Sequence, residues 1–458
     1  MNATLADLAE LRATIRDWCR AHVPADWRRA QTGVGDDEFV AFQQAWFQEL
    51  RRAGYAVPHW PAEWGGGMSA AEQMVLYQEL AAADAPRLVL AFVSIHHAAA
   101  TLLTAGTDEQ RRRHLPGILD GEIWVQGFSE PEAGSDLASL RTTARRESRA
   151  GGDVFVVNGQ KLWASGAAHA DWCLLLARSD PAAPKRRGIS YLLMDMRSPG
   201  LDVRPIRNAL GDSHFCEIFL NDVEIPAENL VGPENSGWQV AQATLAAERG
   251  MTMLELAERL GNVGLRSLVE TCRRPDAAGH RPIDDTLVAD RLAGFDTEIA
   301  GLRALCRDLV ERHDAGTVGD ASQAPPAMRR SQDRTAFGDA GQAPPAMRRS
   351  QDRTAFGDAS QAPPAVRRSQ DRTAFGGADA SVVKVYYSEL LQRMTGFGAE
   401  IAGLAAQTEL SKPASSGWES GRWLLDFIGS WEWTIPGGTN EIQRTIIGER
   451  GLGLPREP

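Results

Sequence analysis

The stretch Trp124–Leu140, WVQGFSEPEAGSDLASL, decides how this chain reads. Two hydroxyls, Ser129 and Ser135, flank an acidic, glycine-containing bend whose main-chain N–H groups can turn outward. A backbone grips a polar ring system or a phosphate with such groups. Composition alone allows, equally, a tight Pro/Gly/Asp turn between a helix and a strand. A second stretch, NGQKLWASGA over Asn158–Ala167, tips the reading toward binding. Side chains of a strand repeat every second residue, so Trp163 and Ser165 share one face. An indole beside a hydroxyl makes a wall for a planar heteroaromatic cofactor.

Upstream of the bend the pattern is helical. LADLAELRATIRDWC sets Leu5, Leu8, Leu11, Ile15 and Trp18 at helical spacing. Further helices are predicted from about Phe39 to Arg52 and, after the Pro/Gly-rich VPHWPAEWGGG, from Ala70 to Ala83. Leu88–Leu103 is apolar on most sides, as a buried helix is, and Thr107-Asp108 caps one more. The His96-His97 pair is read as packing or capping rather than metal binding. From Ile123 short runs of strand formers take over: Val154–Val157, Leu162–Ala164, Trp172–Ala177, Ser190–Met194, Val203–Ile206 and Ile218–Leu220. Asn158-Gly159 is the strongest hairpin signal among them. The helical period returns at Gly237, with one or two helices through Cys272, then about Asp285–Arg312, Ala380–Glu409 and Thr439–Gly448. The expected fold is therefore α+β and multidomain, with a helical domain over 1–122, a β domain over 123–233 and a second helical domain over 234–458. Barrel and sandwich both remain open for the middle part.

A chain of 458 residues with 43 % apolar and 24 % charged content suits two or three globular domains. Its net charge of −11 argues against nucleic acid as a partner. No apolar run reaches the length of a membrane span and no basic-then-apolar leader opens the chain, so a cytoplasmic location is expected. Cys19, Cys173, Cys216, Cys272 and Cys306 lack CxxC or metal spacing and read as free thiols.

As a pair, SEPEAGSD and NGQKLWASG resemble the acyl-CoA dehydrogenase family, flavoproteins that desaturate acyl-CoA thioesters between Cα and Cβ. The likeness runs from Leu8 to Pro455 apart from one insertion. It implies an N-terminal α-helical domain, a small middle β-barrel and a C-terminal α-helical bundle. It also implies FAD, an acyl-CoA substrate, an electron-transfer flavoprotein-like acceptor, and either a homo-oligomer or a heterotetramer with a related subunit. Carried over residue by residue, Gln126, Phe128, Ser129, Trp163, Ser165, Thr439 and Glu441 fall at flavin contacts, and Ser135 and Arg249 at substrate contacts.

Removing hydrogen from a thioester's Cα–Cβ bond needs a carboxylate for the α-proton, donors for the enolate-like oxygen and a hydride acceptor. No side chain accepts a hydride, so a cofactor is obligatory, and no GxGxxG follows a strand to suggest a nicotinamide. Many family members carry the base immediately before the GT of the last motif. In IPGGTNEIQR that position is Gly437. Other members, an actinobacterial-like branch, place it on the first long helix of the C-terminal domain, before an Arg, where this chain has Glu248-Arg249. Glu248 is the expected base, against the plain alternative of a solvated helical carboxylate. Two departures concern a neighbouring subunit's flavin. The usual Arg and Phe of one helix–helix loop become Arg273 and Arg274 in CRRPDAAGHRPIDD, without the Phe, and a Gly-rich segment is replaced by QTELSKPASSGWESGRW. Besides the dehydrogenase, these departures keep two readings open: a non-catalytic partner subunit completing a related chain's site, and flavin-dependent oxygen chemistry on the same fold.

One feature falls outside any such pattern. GDASQAPPAMRRSQDRTAF recurs in tandem at 319–337, 338–356 and 357–375 with few changes. Each copy holds a Pro-Pro pair but only one Phe and one Met or Val, too little apolar surface to bury against a neighbour. The block, taken as an insertion over 319–377, is expected to be disordered. Deleting 319–375 and joining Val318 to Gly376 should leave the thermal midpoint and activity nearly unchanged. A fall of more than about 5 °C in calorimetry, roughly 1–2 kcal/mol for a chain of this size, would show that the repeats pack.

Overall fold

The computed structural model describes residues 4–247, 252–276, 278–314, 378–408 and 411–455. Glu248, Arg249 and the tandem repeats lie outside the described residues. The chain opens with α1 (Leu5–His22), α2 (Trp27–Ala30), α3 (Asp36–Arg52) and α4 (Ala70–Ala82). A π-helical turn at Val93–Ala98 runs into α5 (Ala99–Ala105), and α6 (Asp108–Asp120) follows. Reciprocal capping boxes set three of the starts: Thr4 with Asp7, Ser69 with Glu72, and Thr107 with Gln110. Leu88–Ala91, expected to be helical, are not. Gln43 explains this, because its Oε1 accepts the N–H groups of Val89 and Leu90 and holds that backbone out of a helix.

The middle part holds β1 (Trp124–Gly127), β2 (Thr143–Arg149), β3 (Gly152–Ser165), β4 (Trp172–Arg178), β5 (Ile189–Asp195), β6 (Leu201–Ile206), β7 (Phe215–Pro226) and β8 (Leu230–Val231). They form one sheet in the order β6-β7-β3-β2-β4-β5-β8, with β1 parallel to β4. Only Thr143 and Arg178 pair between β2 and β4. The sheet therefore turns on a narrow seam, and Phe155, Val157 and Ile218 from one side share a core with Leu175, Leu192 and Met194 from the other. The result is the expected middle β domain, one sheet with a core of its own.

Asn158-Gly159 is not a hairpin. β3 runs straight through it, with an irregular register against β7 between Val157 and Gly159. The glycine is required by a close approach: a Cβ there would sit 2.4 Å from Thr142 Oγ1 and 2.8 Å from Thr142 Cα. The reversal lies instead at Ala150-Gly151, between the paired Arg149 and Gly152. β2 itself, TARRESR, was not expected, because its mostly exposed polar side chains lack the apolar alternation that marks a half-buried strand.

The C-terminal part comprises α7 (Gly237–Ala247), α8 (Thr252–Arg259), a π-helical turn at Leu260–Leu265, α9 (Arg266–Arg273) and α10 (Thr286–Asp314). It continues with α11 (Ala378–Ala402), α12 (Trp423–Ser430) and α13 (Asn440–Ile446). Leu256, Phe295, Leu302, Tyr387 and Leu391 build its core. All five cysteines are buried and free. Among the described residues no helix is long and apolar enough to cross a membrane, and no group of three or more His, Cys, Asp and Glu could hold a metal ion.

Candidate active site

The bend and the strand identified from sequence are bound together by a buried ion pair. Lys161 is fully buried, and its Nζ donates to Glu130 Oε1 at 2.8 Å and to the Phe128 carbonyl at 3.2 Å. Glu130 also accepts the N–H groups of Arg141 at 2.6 Å and Thr142 at 2.9 Å, which closes the acidic bend on itself. Leu162 N–H donates to the Ser129 carbonyl at 2.9 Å. Burial opposes ionisation of Glu130, but the Lys161 ammonium and the hydrogen bonds outweigh it and hold the carboxyl below its ordinary value. Burial in turn pulls the Lys161 ammonium below its own. Gly127 gives β1 its close fit, since a Cβ there would lie 2.8 Å from Cys173 Sγ. Neither Glu130 nor Lys161 was singled out from sequence, although a lysine inside a strand that ends in Leu-Trp-Ala was the available signal.

The clamp presents Trp163 to one side. Its backbone is left-handed, at φ 63°, in an irregular stretch of β3 between Lys161 and Ala164. A bulky residue rarely adopts this conformation, and such strain collects at functional sites. The indole is 56 % exposed and meets the rest of the domain through an edge contact to Phe215, with centroids 6.0 Å apart. Ala164 is buried while Trp163 is exposed and Ser165 half-buried. Ser129 is half-buried and Ser135 exposed beside it. Phe128 turns its ring inward against Tyr191, at 5.8 Å, so what it can offer a cofactor is main chain. An open aromatic face with hydroxyls at its margin fits a planar, oxygen-rich ring system such as flavin.

The helix α7 is pinned by three buried hydroxyls. Thr244 Oγ1 lies 2.6 Å from Thr101 Oγ1 on α5 and 3.2 Å from the Tyr191 hydroxyl on β5, with Thr101 and Tyr191 3.3 Å apart. Glu248 and Arg249 are the next residues in the chain after α7. The triangle was not legible from sequence, because its members lie far apart in the chain.

The remaining expected residues form a separate group. Thr439 caps α13, accepting the Ile442 N–H, with Glu441 exposed in the first turn. Asn440 docks the motif on α11 through Lys384 and Ser388. No hydrogen bond or ion pair among the described residues joins Thr439 or Glu441 to the Trp163 wall. Arg273 and Arg274 close α9, both exposed. Gly437, where many family members have their base, is a turn residue at φ 67° whose carbonyl accepts from Gln443 Nε2 at 2.7 Å. The unusual segment before α12 is committed elsewhere. Ser415 receives Gln43 Nε2 at 2.9 Å, and its carbonyl accepts Arg87 N–H at 3.0 Å. Asp426, fully buried and pushed by that burial up to about 7, takes the N–H groups of Gly421 at 2.8 Å and Arg422 at 3.1 Å.

Residues 6–122 match the N-terminal domain of acyl-CoA dehydrogenase, 126–223 the middle domain, and 235–329 together with 326–452 the C-terminal domain. The chain is 34 % identical over 463 residues to the acyl-CoA dehydrogenase IpdE1 of Mycobacterium tuberculosis, covering 99 % of each chain. Among solved structures it is similar to the Tcur3481–Tcur3483 steroid ACAD, at a TM-score of 0.71 and 28 % identity over the full length of both chains. The ChsE4–ChsE5 complex from Mycobacterium tuberculosis aligns at a TM-score of 0.69 and 28 % identity, again over both full chains.

Replacing Lys161 by Met tests the clamp. The variant strands a buried carboxylate and should lose about 3–5 kcal/mol at neutral pH. In the parent protein the lowered Glu130 value gives stability that is fully present above the unfolded value of 4.5 and is lost as pH falls through the folded one. In Lys161→Met the burial that raises the carboxyl is opposed only by the hydrogen bonds from Arg141 and Thr142, so acid protonates it more readily and the deficit should shrink. Urea unfolding of both proteins at about pH 7.5 and pH 5 reads this difference. An equal deficit at the two values would show that the ion pair is not what holds the bend.

Proposed function

The chain belongs to the acyl-CoA dehydrogenase family, and on that premise we propose that it catalyses the FAD-dependent conversion of an acyl-CoA thioester to a trans-2-enoyl-CoA during breakdown of a lipid or steroid side chain. The reading includes the division into domains over 1–122, 123–233 and 234–458, with 319–377 as an insertion in the third. It also includes a cytoplasmic location and an electron-transfer flavoprotein-like acceptor. Two features support it: the exposed, left-handed Trp163, and a helix, α7, that is fixed by buried hydroxyls and followed in the chain by Glu248.

Bound FAD supplies the two-electron acceptor that no side chain provides. Trp163, Ser129 and Ser165 are the residues that would hold the flavin ring, the indole as an apolar wall and the hydroxyls as hydrogen-bonding groups. Glu248 takes the proton from Cα, the task for which Gly437 has no group. Thr439 and Glu441 contribute from the α13 terminus, and Ser135 and Arg249 hold the substrate. Glu248→Gln should keep bound flavin yet lose bleaching by acyl-CoA under anaerobic conditions. Unchanged reduction rates in the variant would remove Glu248 from the mechanism.

A heteromeric assembly is the form of the enzyme that this chain favours. A neighbour's pyrophosphate needs free N–H donors or cations. The segment before α12 offers few, because Asp426 already takes the N–H groups of Gly421 and Arg422. Arg273 and Arg274 remain exposed for that purpose. Full trans sites would then require a related subunit, as in the two-component relatives. Purified alone, the chain should self-associate or carry well under one flavin per chain, with loading restored by co-expressed partner. Light scattering and the flavin-to-protein ratio decide this, and a monodisperse, fully loaded, active monomer would sink it.

A further inference from the structure

His97 stands on the π-helical turn at Val93–Ala98 and is 2 % exposed, yet no well-aligned hydrogen bond reaches either ring nitrogen. The amide of Gln126 lies against this imidazole and partly offsets the effect of burial on it, but Gln126 Nε2 is itself buried without a partner. A third orphan stands nearby. His59 Nε2 meets the Ile95 carbonyl at 3.1 Å, and its Nδ1 has no partner. Since the carbonyl can only accept, His59 Nε2 carries the proton and Nδ1 is an acceptor. His96 stacks on His59 at 4.6 Å, and Phe92 packs on both His96 and His97.

Leaving one buried polar group unsatisfied costs about 1–3 kcal/mol, and buried polar groups are nearly always paired in native proteins. Three orphans around one π-helical turn point to a ligand. Their position says which part of it they meet. Gln126 lies on β1, three residues before Ser129 in the chain. The turn packs on β1 and on α7, the helix that leads to Glu248. The orphans therefore lie where the turn meets β1, which leads into the Ser129 bend, and α7.

Resting on the dehydrogenase reading above, we propose that His97, Gln126 and His59 form a polar subsite for a hydroxyl group on the acyl portion of the substrate, remote from the thioester. The donor set selects this chemistry. Burial pushes His97 down to about 4, so at neutral pH it presents one donor and one acceptor, to which Gln126 adds an amide donor. A hydroxyl both donates and accepts, and satisfies such a set. A carboxylate needs a cation, and the imidazoles here are neutral: His59 is likewise pushed down to about 4 and His96 well below its ordinary value, both by burial. An all-hydrocarbon chain would leave every orphan unpaired.

The test uses the FAD-loaded protein, with its partner if one is required, and acyl-CoAs of one carbon skeleton with and without a hydroxyl at successive positions beyond Cγ. Calorimetric titration should show one hydroxylated member binding roughly tenfold or more tighter than its parent, the discrimination that a hydrogen-bonding subsite gives. His97→Phe should bring that ratio to near one without weakening the unsubstituted acyl-CoA, and His97→Gln should restore part of it. Equal binding of every pair by the parent protein, or a preference that survives His97→Phe, overturns the proposal. If His97→Phe does not fold, the ratio in the parent protein and in His97→Gln decides. Anaerobic flavin bleaching in the same samples judges the dehydrogenase reading separately. A protein that bleaches with plain acyl-CoAs and shows no hydroxyl preference keeps the reaction and loses the subsite.

Discussion

The fold of the active site depends on a lysine that has no contact with water. Lys161 and Glu130 are both withdrawn from solvent, and each would be costly to bury alone. Together, and with three main-chain partners, they convert two loosely specified stretches into one rigid edge. The bend SEPEAGSD cannot open without uncovering the carboxylate, and β3 cannot slip in register without moving the ammonium. The irregularity of β3 follows directly after Lys161, so the strain at Trp163 is held from a fixed point. An apolar pair could fill the same volume. It would not also terminate the free N–H groups of Arg141 and Thr142, which is the reason for charge at this place.

Much of this architecture was legible in the sequence. Helical periodicity gave α1, α3, α4 and α6 closely, and Thr107 was identified as a cap from its own chemistry. What sequence could not supply was the use made of a local signal by a distant partner. Asn-Gly is a turn signal because glycine tolerates positive φ, but here glycine answers to the approach of Thr142 from the neighbouring strand. Gln43 likewise keeps a segment more than forty residues away out of a helix by taking the N–H groups of Val89 and Leu90. The hydroxyl triangle of Thr101, Tyr191 and Thr244 draws on three elements, and nothing near any one of them announces it.

The site residues divide along the same line. Strand alternation alone puts Trp163 and Ser165 on one face, but β3 is irregular between Lys161 and Ala164 and Trp163 is left-handed, so regular alternation does not hold there. Phe128 was named by resemblance, yet its ring belongs to the core, so the resemblance identified the position and not the atoms. Thr439 and Glu441 stand on a separate element from the Trp163 wall.

The segment before α12 shows how a departure from a family pattern can be absorbed. Its serines and glycines have been recruited to fasten the last helices to the N-terminal layer, through Gln43, Arg87 and Ser415. Asp426 then occupies the N–H groups that a glycine-rich stretch would leave open. Burial pushes that carboxyl up to about 7, and the N–H groups of Gly421 and Arg422 that it accepts are withdrawn from any other acceptor. The segment is therefore committed to contacts within its own chain, at one end through Ser415 and at the other through Asp426.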